Sequence, residues 1–114
     1  MSDYIFFIRG GDAHMAGLSE QEMQTHMQEW TAYMGGLGAA GKLKGGAPLG
    51  KEGSVMSGAA KFEENGPLGG DTQVNGYVMV SAADMTEAKA LANDCPIFTA
   101  DGSLEIRECL DMSG

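Results

Sequence analysis

The sequence predicts an α+β domain of ferredoxin-like β-α-β-β-α-β order, one unit spanning all 114 residues. Three observations predict it. Two apolar runs, one at residues 4–8 and one at 76–82, are too short for helices and rich in β-branched and aromatic residues. Each run is followed by a helical pattern that opens on a capping signal. Weaker strand patterns then fill the places between the first helix and the second run, and after the second helix.

In chain order, residues 3–9 (DYIFFIR) form the first strand. Its five apolar residues are consecutive, the pattern of a strand covered on both faces. Gly10 to His14 is a loop. The long helix runs over 18–41: Ser19 is the N-cap, Glu22 completes a capping box, and Leu18 with Met23 forms a hydrophobic staple. Met23, Met27, Trp30, Met34 and Leu37 recur at 4-3-4-3 spacing and share one face, read as core, with His26 and Tyr33 on its edge. Gly35-Gly36 should weaken this helix or mark a close approach to its backbone, and Gly41 closes it.

Residues 42–48 form a short edge strand with a bulge at Gly45-Gly46. Residues 55–62 form a weak strand or a hairpin around Ser57-Gly58. Residues 63–74 form a loop, with turn signals at Asn65-Gly66-Pro67 and Gly69-Gly70-Asp71. After the strand at 76–82, Asp84 caps a second helix over 85–94, whose apolar stripe is Met85, Ala88, Leu91, Ala92 and Cys95. The last strand, 103–110, alternates Leu104 and Ile106 with Glu105 and Arg107.

Right-handed crossovers put both helices on one face of the four-stranded sheet. Yet the two central strands are apolar on both sides. A second copy packed sheet-to-sheet covers the open face, so a homodimer with a barrel-like interior is expected.

Seven basic against sixteen acidic residues give a net charge of −9, which excludes a phosphate-backbone partner. Two cysteines outside any CxxC pair make no disulfide framework and fit a reduced, cytoplasmic setting. The only N-terminal apolar run is too short for a signal sequence or membrane span. Two histidines twelve residues apart match no metal-ligand spacing, GGLGAAG lies within a helix and not after a strand, and no nucleotide-binding motif appears. No metal and no cofactor are expected.

His26 is the main catalytic candidate, a general acid/base facing a cleft between the long helix and the sheet. Its other reading is a boundary histidine bonded to a neighbour. Asp12 is the expected orienting partner, with Asp71 as an alternative; each also reads as a turn residue. His14 is either a further contributor or a solvated loop residue. Arg9, Glu105 and Arg107 point into the barrel, either as a site for an anionic group or as an ion pair at the dimer contact. Trp30, Asn65 and Tyr77 complete the substrate-binding candidates. Cys95, at a helix end before a proline, reads as a buried inert thiol.

The segments YIFFIR, SEQEMQTHMQEWTAY, GKLKGGAPL, ENGPLG, GYVMVSAADMTEAKALANDCP and GSLEIRE together resemble the YCII-related family, in its branch named for a DGPF motif. The resemblance implies a dimeric α+β barrel, and in some members a small-molecule enzyme using a His/Asp pair; other members occur with sigma-factor modules. The chain departs from the motif, with Asn65-Gly66-Pro67-Leu68 in place of Asp-Gly-Pro-Phe, so no carboxylate acts there. The expected function is cofactor-free proton transfer, a lyase or isomerase step on a small polar or aromatic compound. His26 would move the proton, Asp12 orient it, and Arg9 or Arg107 hold an anionic group. The alternative is a ligand-binding or regulatory module without chemistry.

Overall fold

The computed structural model describes residues 1–69 and 72–112. Six strands and three helices follow in the order β1 (Ser2–Arg9), α1 (Asp12–Ala16), α2 (Glu20–Ala39), β2 (Leu43–Pro48), β3 (Gly53–Ser57), β4 (Phe62–Gly66), β5 (Val74–Ala82), α3 (Met85–Ala92) and β6 (Ser103–Cys109). A 3-10 turn at Pro96–Ala100 precedes β6. Four strands make one antiparallel sheet in the order β2-β5-β1-β6, and β3 with β4 makes a separate hairpin. Without that hairpin and α1, the arrangement is the ferredoxin-like one.

Strand β1 alternates in its own subunit: Tyr4, Phe6 and Ile8 are buried, while Ile5 and Phe7 are half-buried. Val78, Val80 and Ala82 of β5 share the buried side and join Leu37 of α2 and Ala88 and Ala92 of α3 in one core. Both helices therefore cover one face. The other face holds Ile5 and Phe7 beside their cross-strand partners Met79 and Tyr77 and, on β6, Arg107 and Glu105.

The capping box of α2 is formed as the sequence predicts: Glu22 N–H donates to Ser19 Oγ at 3.1 Å and Ser19 N–H to the Glu22 carboxylate at 2.9 Å. The helix ends at Gly41, left-handed at φ 72°, with Lys42 N–H returning to Leu37 O at 3.0 Å. Asp84 caps α3 through Glu87 N–H at 2.9 Å. The phenol of Tyr33 donates to Leu91 O at 2.8 Å and ties α2 to α3.

Several expectations are corrected. The loop after β1 contains α1, whose five residues are too few to show a period. Strand β4 lies where a loop is expected, because cross-strand pairing from Gly53↔Gly66 to Ser57↔Phe62 overrides a polar, acidic sequence. The β2 bulge falls between Leu43 and Gly45, one step early. Helix α2 runs unbroken through Gly35 and Gly36, and a Cβ on either meets nothing within 4 Å. Those glycines face open space. The stripe on α2 is not core throughout: Leu37 is buried, but Met27 is 55% exposed.

Candidate functional site

The gap between α2 and the sheet is a cavity of about 330 Å³. Its walls are apolar: Met27, Trp30 and Met34 from α2, Ile8 and Val78 from the sheet, and Ile97 from the 3-10 turn. The floor depends on Gly46, where a Cβ would meet Tyr77 O at 2.8 Å and Met34 Cε at 3.2 Å. Three polar residues also line it: Asp12, His26 and Asn75.

His26 is 8% exposed, the only buried polar or charged residue among those described. Its place on the inner edge of α2, one turn before Trp30, puts the two rings edge to face, 6.4 Å between centroids at 81°. The Trp30 indole N–H donates to His26 Nε2 at 3.0 Å. Indole nitrogen is a donor only, so Nε2 offers its lone pair and Nδ1 carries the proton of the neutral ring.

His26 also lines a second, outer cavity with His14, Leu18, Gln21, Glu22, Thr25, Glu29 and Thr99. No other residue belongs to both walls. Trp30 lines the inner cavity and not the outer one, so the nitrogen it binds, Nε2, is on the inner side of the ring. In that outer wall the Glu22 carboxyl is held below the usual carboxylate range, first by Ser19 of the capping box and less by nearby His14.

Asp12 sits at the start of α1, just past left-handed Gly11, at φ 85°. It does not orient His26. Its carboxylate accepts from Asn75 Nδ2 at 3.3 Å, and that amide also donates to Gly10 O at 3.0 Å. Gln73 Nε2 in turn donates to Asn75 Oδ1 at 2.7 Å, which fixes the amide's orientation. Asp12 and His26 thus share the cavity without sharing a hydrogen bond, and Trp30 positions the imidazole.

Arg9 and Arg107 do not reach this cavity from their own subunit. Strand alternation puts both on the open face, where Arg9 Nη2 bonds Glu105 at 2.9 Å and Thr72 O accepts from Arg9 Nη1 at 2.7 Å. Arg107 approaches the other Glu105 oxygen at 3.8 Å with 67% of its side chain exposed. Tyr77 is part of the cavity wall, but alternation with buried Val78 turns its side chain to the open face. Asn65 lies in β4, opposite Ser54, away from the cavity. Asp71 lies outside the described residues.

Sequence reasoning missed Asn75. In the sequence it falls between the expected loop at 63–74 and the strand at 76–82, and only the sheet register brings it to Gly10 and Asp12. His14 belongs to the outer wall. Cys95 is buried as predicted, and burial raises its thiol to about 11. Among the described residues no three His, Cys, Asp or Glu side chains converge as a metal site, and no helix is long and apolar enough to cross a membrane.

Comparison with known proteins follows the geometry. A family model described as the YCII-related domain matches residues 3–113. Among solved structures, the chain is similar to the 5-chloro-2-hydroxyhydroquinone dehydrochlorinase of Burkholderia phenoliruptrix AC1100, determined in complex with 2,5-dihydroxybenzoquinone. The TM-score is 0.57 at 13% identity, over 95% of this chain and 93% of that one. Among curated proteins none matches the chain in sequence.

Proposed function

The chain belongs to the YCII-related family, and from that premise we propose that it binds a small, mostly apolar molecule in the α2–sheet cavity and moves a proton on it. The observation that carries this reading is the single imidazole standing between two chambers, one apolar and one polar. A volume near 330 Å³ is at the small end of ligand pockets, which suits a one-ring compound. The wall of Met27, Trp30 and Met34 takes its flat face. The polar end, with Asp12 and Asn75, takes a hydroxyl or carbonyl. The dehydrochlorinase of the same fold, crystallised with a benzoquinone, lends this ligand class support as analogy.

Proton movement follows from the ring's two sides. A ligand hydroxyl or acidic C–H displaces the Trp30 donor and gives its proton to Nε2, while Nδ1–H releases its own to water in the outer cavity. The ring ends in the other tautomer with no change in charge, and reversal returns the proton to a different ligand atom. Asp12 accepts a hydrogen bond from the ligand, and Asn75, whose two amide hydrogens go to Asp12 and Gly10 O, holds that carboxylate in place. This is the isomerase or lyase class of step.

The same reading includes two copies paired through their open sheet faces, since Ile5, Phe7, Tyr77 and Met79 have no cover in one chain. Two free cysteines fit a reducing, cytoplasmic compartment.

A thermal-shift panel of substituted phenols and enolisable carbonyls, run from pH 6 to pH 8, tests the ligand site. Stabilisation by panel members is expected, and its pH dependence should vanish in His26→Gln while binding persists. Exchange of the ligand's acidic C–H for deuterium, catalysed by the natural chain and lost in His26→Gln, would establish the chemistry. If no panel member shifts the melting temperature, the ligand reading fails. Binding without exchange leaves a binding module.

A further inference from the structure

We infer that the β3–β4 hairpin is an intersubunit arm: it packs on the open sheet face of a second copy of this chain and not on its own subunit. The inference rests on the two-copy reading above and adds to it the element that grips. The hairpin pairs with itself alone. Phe62 is 63% exposed and Met56 58%, large apolar side chains on opposite faces of the ladder. An isolated two-stranded hairpin is marginal in water and needs a surface to lie on. The chain measures 49 × 44 × 18 Å with a radius of gyration of 15.7 Å, well above the roughly 13 Å of a compact domain this size. The arm reaches outward.

Area favours a second copy as the occupant. Four strands of six to nine residues make an open face of about 20 × 25 Å, roughly 500 Å². A stable interface buries about 800 Å² per partner on average. Each face of the hairpin adds about 170 Å². The surface under the partner's arm is already within the open face, so the arm brings a copy to roughly 670 Å², inside the range of stable interfaces where the sheet face alone falls short.

Charge favours it too. On the open face Arg9 holds Glu105 at 2.9 Å, while Arg107, 67% exposed, stands 3.8 Å from the same carboxylate and presents a cation at the β6 edge. Val55 and Phe62 share a face of the hairpin with Glu64, and Glu63 stands beside Met56 on the other. An apolar pair flanked by an acid thus meets an apolar face flanked by arginines. A two-fold axis along the strands also sets the β2 edge, from which the arm springs, over the partner's β6 edge, which holds Glu105 and Arg107.

Sedimentation velocity of the full chain across concentration tests this. The natural chain should be dimeric at micromolar concentration. Phe62→Ser and Glu64→Arg should each raise the dimer dissociation constant roughly tenfold or more, and both substitutions are at exposed sites, so melting of the subunit core should not move. Arg107→Glu should weaken the dimer likewise, and combining it with Glu64→Arg should recover much of the loss. If the arm variants leave the dimer intact while Phe7→Asp splits it, sheet pairing stands and the arm is overturned. A monomeric natural chain at 100 µM overturns both.

Discussion

Cys95 and Tyr33 share a consequence of burial. Desolvation raises the Cys95 thiol to about 11 against a slight opposing pull from Ile97 N–H, and it pushes the Tyr33 phenol above the usual phenol range, with Cys95 and Asp94 adding to it. The fold prefers both groups protonated. Their contribution is therefore whole below pH 9, where the unfolded thiol begins to ionise, and is lost as pH rises through the folded value. Urea unfolding should show stability declining between pH 9 and 11, with Cys95 accounting for about 2 kcal/mol at the upper end. Cys95→Ala should flatten that decline. Iodoacetamide at pH 8 should spare Cys95. At this scale the candidate site was half legible. His26 and Trp30 stood out because a helix fixes its own i, i+4 neighbours, and Asp12 because its loop follows the first strand. Asn75 did not, since its partners are some 63 to 65 residues away; Tyr77 was offered to the pocket because a strand's parity is known only once its covered face is, whereas alternation with Leu104 and Ile106 already turned Arg107 away from the helices.

At the scale of elements, caps and apolar runs read cleanly while pairing did not. Both long helices start where their capping residues stand, because those bonds are local. Strand β4 was invisible beyond Phe62 because nothing in Glu63 to Gly66 favours a strand; its partner imposes one. The adjacent glycines of β2 make this contrast testable. A Cβ on Gly45 meets nothing within 4 Å, whereas one on Gly46 comes to 2.8 Å from the backbone oxygen of Tyr77. Gly46→Ala should cost about 1–3 kcal/mol in denaturant melts by forcing β2 off β5, and Gly45→Ala should be near neutral. The Gly46 variant should also lose ligand stabilisation, since the cavity floor moves with it.

For the whole molecule, the order of strands followed from the sequence, but the outline did not, because exposed Phe62 and Met56 look in sequence like core residues awaiting a place. If the arm is held by another copy, hydrogen exchange of residues 53–66 should slow as protein concentration rises, while exchange of β1 and β5 stays constant. The arm is also tied off at its root, where Leu49 N–H donates to Asn75 O at 2.9 Å, and β2 and β5 are already ladder neighbours there. The whole excursion can therefore be cut out and its stump closed by a tight turn without altering the layers beneath. A detachable grip of this kind separates who a subunit associates with from what it holds inside. Sister chains in one cell that differ only in that appendage would sort into separate pairs around the same interior.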